Sequence, residues 1–243
     1  MWDLGWFGYI SFDLAFLSAL LSIILINLIL SGDNAVVIAL AVRSLEKKQR
    51  KWGIILGSAA AVLLRVVLTF FAAKLLLIPY LKLLGGALIA WIAVKLFTEG
   101  ASDDKVHEAR NITQAIKVIC IADLVMSIDN VLGVAGASKG NMFLLLFGLG
   151  SSIPLVVGTS TLLSMLMDKY PIIIYIGAAI LGKVAGEMII TDPVVVKTLQ
   201  PGHYLEYAVE ALFAVGVIVV GKLLMKWKIA REEKEMLVNQ KAD

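Results

Sequence analysis

Two short segments of this sequence carry the residue types that hold a cation through oxygen. The first contains Asn27, Ser31, Asp33 and Asn34; the second contains Asp123, Ser127, Asp129 and Asn130. Ser, Asp and Asn recur in the same order 96 positions on, and the polar residue four places before each serine recurs as Asn27 and Asp123. Carboxylates, amides and hydroxyls make a hard ligand set, suited to Mg, Ca or Mn rather than to Zn or Cu. One cysteine, Cys120, and two histidines, His107 and His203, exclude a disulfide within the chain and a thiolate cluster. Cys120 and Met126, the soft atoms near the second motif, read as adaptable apolar filling.

On a helix, positions i, i+4 and i+7 share a face. Asn27, Ser31 and Asn34 therefore line up, as do Asp123, Ser127 and Asn130, while Asp33 and Asp129 fall off that face. A break at Ser31-Gly32 would bring Asp33 round and free backbone carbonyls as ligands. Ile128 stands where Gly32 would recur. Both motifs lie inside apolar runs, where a carboxylate costs on the order of 3 kcal/mol at a bilayer centre. Three compensations are open. Each Asp can cap a half-helix; Arg65 and Lys183 can pair with the acids, although Glu187 one turn from Lys183 offers a local partner; or a bound cation can neutralise them. Three carboxylates against one divalent ion leave surplus negative charge. One of them, or Glu187, is expected to take up a proton when the ion leaves, which makes proton exchange the expected coupling.

These motifs must be positioned by membrane helices. Hydrophobic residues make up 60% of the chain, well above a soluble domain, and fall in runs of about twenty, the length that crosses the hydrocarbon layer. Seven spans are expected, over 12–42, 53–77, 80–97, 112–137, 142–167, 171–190 and 204–226, the first and fourth divisible into half-helices. The fold class is thus an all-α membrane protein. The equivalence of spans one and four, with Leu56-Gly57-Ser58 matching Leu149-Gly150-Ser151 and Gly85 matching Gly177, makes two three-helix repeats. Repeat one covers about 12–97 and repeat two about 112–190; 204–226 is an extra helix and 227–243 a charged, solvated helical tail. Three helices separate the copies, so the second enters the membrane upside down, as in transporters that hold their ion between inverted repeats. The plain alternative is two polar helix-packing motifs with no ligand.

Basic residues set the orientation. With the N-terminus outside, sixteen lysines and arginines fall inside, including Arg43, Lys47, Lys48, Arg50 and Lys51, against four outside, Lys74, Lys82, Lys139 and Lys197. The N-terminus is therefore expected outside and the C-terminus in the cytoplasm. The N-terminus lacks a basic stretch, so no cleaved signal is expected; Trp2, Trp6, Phe7 and Tyr9 read as interfacial anchors. Gly182, Gly186, Gly85 and Gly86 read as close helix contacts. Glu206 and Glu210 read as solvated at the outer end of the last span. Asp103, Asp104 and Glu108 read as solvated loop charge.

Ser31-Gly32-Asp33-Asn34-Ala35 and Ala122-Asp123-Leu124-Val125-Met126-Ser127-Ile128-Asp129-Asn130 resemble the paired motifs of the TerC family of bacterial membrane proteins. That family was named for tellurium-ion resistance, is associated with manganese export, and is similar to the LysE-type exporters. The resemblance covers nearly the whole chain. It implies a bacterial plasma-membrane exporter of Mn2+, with Asp33, Asn34, Asp129 and Asn130 lining the ion path and Asp123 beside them. The repeats differ at Asn27 and Asp123, which breaks the symmetry of the site. Cargo and direction come from the resemblance alone.

Other functions compete. An aspartyl protease would use two intramembrane acids, but each Asp of the duplicated motif is followed by Asn, and the Pro-Ala-Leu and paired Gly-x-Gly-Asp motifs are missing; no enzyme is expected. A membrane scaffold that helps metallate or assemble secreted proteins would use the charged tail. An exporter of Ca2+ or of a tellurium oxyanion is a further alternative, the oxyanion needing more midplane cations than Arg65 and Lys183. No prosthetic group and no nucleic-acid partner are expected; the partners are a divalent metal ion as cargo (Mn2+, or Ca2+ or Mg2+), the lipid bilayer, and in the scaffold reading another membrane or secreted protein.

Overall fold

A computed structural model describes residues 2–3, 5, 8–75, 78–101, 111–138 and 141–239. Within these, the side chains at 3, 27–31, 72–75, 100–101, 128–133, 135–136 and 232–239 lie outside the description. The anchors expected at Trp6 and Phe7, and the loop acids Asp103, Asp104 and Glu108, lie outside the described residues as well.

The chain is helical almost throughout: α1 Leu14–Val42, α2 Lys47–Leu75, α3 Leu81–Ala101, α4 Ile112–Ser138, α5 Met142–Lys169, α6 Ile172–Ile190, α7 Pro193–Leu199 and α8 His203–Asn239. Ahead of α1, β1 (Trp2–Asp3) pairs antiparallel with β2 (Tyr9–Ile10), Trp2 opposite Ile10, so the all-α expectation misses a short hairpin. Asn141 fixes that hairpin to the bundle. Its Oδ1 caps α5 by accepting the Phe143 N–H at 3.1 Å, and its amide donates to the Tyr9 carbonyl at 2.8 Å. Asp13 caps α1 by accepting the Phe16 N–H at 2.8 Å.

Among the described residues, five helical stretches are long and apolar enough to cross a membrane: Lys47–Phe71, Leu81–Glu99, Met142–Lys169, Ile172–Ile190 and His203–Arg231. In α1 the described apolar stretches are Leu14–Ile26 and Gly32–Val42. One boundary differs from expectation: α2 begins at Lys47, so Lys47, Lys48, Arg50 and Lys51 form its first turns rather than a loop. The tail expected to be helical from Trp227 continues the last helix, α8 running on to Asn239.

The expected half-helices do not form. α1 is continuous through Ser31-Gly32 and α4 through Ser127-Asn130. One glycine inside a helix costs about 1 kcal/mol. An unwound turn would leave several backbone groups to be satisfied away from water, which costs more. The intact ladder therefore wins.

Packing follows a regular scheme. α1 packs on α5 about as extensively as α4 packs on α2; α3 packs on α6; α1 meets α4 and α2 meets α5. α8 lies against α6 and α3. Small residues permit the closest approaches: a Cβ on Gly182 would sit 2.6 Å from the Phe213 carbonyl of α8, and one on Gly86 2.6 Å from the Ala185 carbonyl of α6. The apolar interior forms two clusters. One gathers Phe16, Ile23, Val62, Val134, Leu144 and Leu149. The other gathers Val36 to Val42 with Ile54, Ile119, Val125, Met126 and Val156. Large apolar side chains such as Leu63, Phe70, Trp91, Ile176 and Leu223 point outward, as a lipid-facing surface requires.

Candidate functional site

The candidate site is built around Asp123 of α4, 5% exposed. Its carboxylate is held from two sides. Arg65 of α2, 4% exposed, pairs with Asp123 Oδ1 through Nη2. The Ser127 hydroxyl, one turn along α4, donates to Asp123 Oδ2 at 3.0 Å and accepts from Arg65 Nε at 2.9 Å. The three side chains close a ring in which guanidinium, hydroxyl and carboxylate satisfy one another. Residue spacing explains half of this, because Asp123 and Ser127 share a helix face. The other half comes from the packing of α2 on α4, which places Arg65 at the same depth.

Between α1 and α4, buried Asn34 and Asp123 line one small cavity, together with Val37, Ile38 and Ile119. It has room for about one water molecule. Among the described residues its polar lining comes from Asn34 and Asp123, and Arg65 is not among those that line it.

Asp33 lies elsewhere. In an unbroken helix it is turned by about 100° from Asn34, and the charges that act on it belong to Lys183 and Glu187 of α6. Lys183 Nζ lies 3.2 Å from Glu187 Oε2 and 3.4 Å from Glu210 Oε2 of α8. Glu210, expected to be solvated, has a side chain only 13% exposed and ties α8 to α6. The close approach permitted by Gly182 and Gly186 brings it there: a Cβ on Gly186 would lie 3.0 Å from the Glu210 Cα.

The candidate residues therefore separate into two groups. Asn34, Asp123, Ser127 and Arg65 meet between α1, α2 and α4. Lys183 and Glu187 of α6 meet Glu210 of α8, and Asp33 of α1 lies within electrostatic reach of Lys183 and Glu187. The side chains of Asn27, Ser31, Asp129 and Asn130 lie outside the described residues. Among the described residues, no three His, Cys, Asp or Glu side chains converge to hold a metal ion. Among those residues, oxygen donors around Asp123 come from amide and hydroxyl groups.

Sequence reasoning missed a third polar group, at the end of the bundle where α1, α2 and α5 meet. Arg50 pairs with Asp168, approaches Ser164 Oγ at 3.3 Å and donates to the Arg43 carbonyl at 2.6 Å. Nothing in the sequence near Asp168 marks it as the partner of an arginine 118 positions away.

Residues 12–233 match the family described as the integral membrane protein TerC family. The chain is similar to the uncharacterized membrane protein YjbE of Bacillus subtilis (strain 168), 43% identical over 177 residues, covering 73% of this chain and 81% of that one. It is also similar to the uncharacterized membrane protein YceF of the same organism, 26% identical over 160 residues and covering 62% of each chain, short of two thirds. No solved structure matches.

Proposed function

Because the chain belongs to the TerC family of integral membrane proteins, we propose that it exports a divalent cation, Mn2+ foremost, from the cytoplasm across the bacterial plasma membrane. In this reading seven helices cross the bilayer, α1 to α6 and α8, with the N-terminus outside. α1–α3 and α4–α6 are the inverted repeats. What supports the repeat is the exchange pattern of the packing: replacing α1, α2 and α3 by α4, α5 and α6 turns the α1–α5 contact into the α4–α2 contact and leaves α1–α4, α2–α5 and α3–α6 in place.

One observation carries the reading. Asp123 and Asn34, from equivalent helices, are both buried and line one small cavity inside the bundle. Buried ionisable groups at such a depth are costly, and in membrane helices they mark ion paths. Hard oxygen donors suit Mn2+, Mg2+ or Ca2+; the choice of Mn2+ leans on the family resemblance. Protons moving inward are the proposed counter-flow, with Glu187, half exposed beside Lys183, as the group that takes them up.

The test is cellular metal content under manganese stress, in cells making the wild type or Asp33→Asn, Asp123→Asn or Asp129→Asn. Loss of efflux in the variants at normal membrane levels is the expected result. Equal metal content in cells with and without the wild-type protein would reject export. It would leave a second reading, a membrane scaffold for metallation, which the length of α8 favours. Its 37 residues span roughly 55 Å, beyond the roughly 30 Å of hydrocarbon.

A further inference from the structure

We propose that Arg65 is the resident counter-cation of the transport cycle: its guanidinium holds Asp123 when no metal is bound, and the cargo ion displaces it. The inference rests on the export reading above and assigns Arg65 a part in it. Four observations carry it.

First, Asp123 is spoken for. Its two oxygens go to Arg65 and to Ser127. Second, the cavity reaches the same carboxylate from the α1 side, bounded by Asn34, Val37, Ile38 and Ile119, while Arg65 approaches from α2. An ion entering the cavity meets Asp123 without first crossing the guanidinium. Third, Arg65 Nε is bonded to Ser127 Oγ, so the guanidinium keeps a neutral partner on α4 if it gives up the carboxylate. Fourth, Arg65 is a cation that cannot lose its charge by deprotonation, so it serves at any physiological pH.

The physical need is clear. An alternating-access carrier must return after releasing its ion, and a bare carboxylate in the membrane interior resists that return. A tethered cation removes the difficulty at Asp123 with no incoming ion. The exchange is a swap of ionic partners; no covalent bond changes, and the guanidinium stays on its helix. Any proton that enters in exchange is then needed at other acids, not at Asp123.

Proteoliposomes test this by comparing two fluxes. Net efflux of Mn2+ requires the empty return step; exchange of radiolabelled Mn2+ at equal concentration on both sides does not. For Arg65→Gln, net efflux is expected to fall more than roughly tenfold and equilibrium exchange to change less than roughly threefold. Mn2+ should bind about tenfold more tightly, because its competitor is gone. Arg65→Lys, a single-point cation with a weaker hold on the carboxylate, should show the same split at smaller size, and it stands in if the Gln variant does not insert. Both fluxes falling together, or neither changing, overturns the proposal while export stands. A wild type that neither binds nor moves Mn2+ overturns export and this inference with it.

Discussion

Arg65 of α2 and Asp123 of α4 form an ion pair whose side chains are 4% and 6% exposed, bridged by the Ser127 hydroxyl. Such a pair is costly to assemble and costlier to halve. Removing one member of a buried pair typically costs 3–5 kcal/mol, because the other is left charged and unpaired. We expect Arg65→Ala or Asp123→Ala to destabilise by about that amount. The double replacement Arg65→Met with Asp123→Leu should fall short of the sum of the corresponding single changes by roughly 1–3 kcal/mol. Unfolding in mixed micelles, run as a double-mutant cycle, measures both. Additive losses would mean the pair is not coupled.

Much of this arrangement was legible in the sequence, and the remainder was not, for identifiable reasons. Asp123 and Ser127 were placed on one face by helical spacing alone, and Arg65 was marked as a charge at a depth where it needs a partner. The separation of Asp33 from Asn34 was not legible, because it turns on whether Gly32 breaks α1. Backbone hydrogen bonding keeps the helix whole, and the adjacent residues then face different neighbours, α6 and α4. Glu210 was misread as solvated because its sequence surroundings say nothing about α6. Only the α6–α8 contact, close enough to demand glycine at 182 and 186, brings it to Lys183.

That contact makes its own prediction. A methyl group at Gly182 would meet the Phe213 carbonyl at 2.6 Å and the Ala214 Cα at 2.8 Å, both backbone atoms that cannot swing aside. Gly182→Ala should therefore force α6 and α8 apart, at a cost of about 1–3 kcal/mol. Gly216→Ala on α8, with nothing within 4 Å of its new Cβ, is the control. It should be neutral or gain up to about 1 kcal/mol from helix propensity. Thermal unfolding of the two purified variants side by side gives the answer; similar losses in both would refute close packing at Gly182.

Asp192, fully buried, joins two connections outside the long helices. Its Oδ1 accepts the Val194 N–H at 2.9 Å and so caps α7, with Pro193 in the first turn. Its Oδ2 accepts the Leu83 N–H at 3.2 Å and so satisfies the start of α3. Asp192→Ala strips both donors of their acceptor and should cost about 1.5–3 kcal/mol. Asp192→Asn keeps one carbonyl acceptor and should lose about half as much. Hydrogen exchange localises the effect: the Leu83 and Val194 amides should exchange faster in Asp192→Ala, and unchanged protection at Leu83 would show that the α3 contact contributes nothing.

Lys183 allows a graded comparison, because its two acidic partners differ in burial. The bond to Glu187 is an i,i+4 pair on α6 with both side chains about half exposed, at 52% and 51%. Such pairs contribute about 0.3–0.5 kcal/mol. The bond to Glu210 crosses from α6 to α8, and the Glu210 side chain is 13% exposed. Glu187→Gln should therefore be nearly silent in stability, and Glu210→Gln should cost more because it loosens a helix–helix contact. Lys183→Met should be the most damaging of the three. It leaves Glu187 and Glu210 together with no cation between them, and removes the positive charge that acts on Asp33. The expected order of loss in stability, Lys183 over Glu210 over Glu187, can be read from melting temperatures of the purified variants. Equal effects of Glu187→Gln and Glu210→Gln would mean that burial does not rank these bonds, and that α8 is held to α6 by its glycine-lined contact alone.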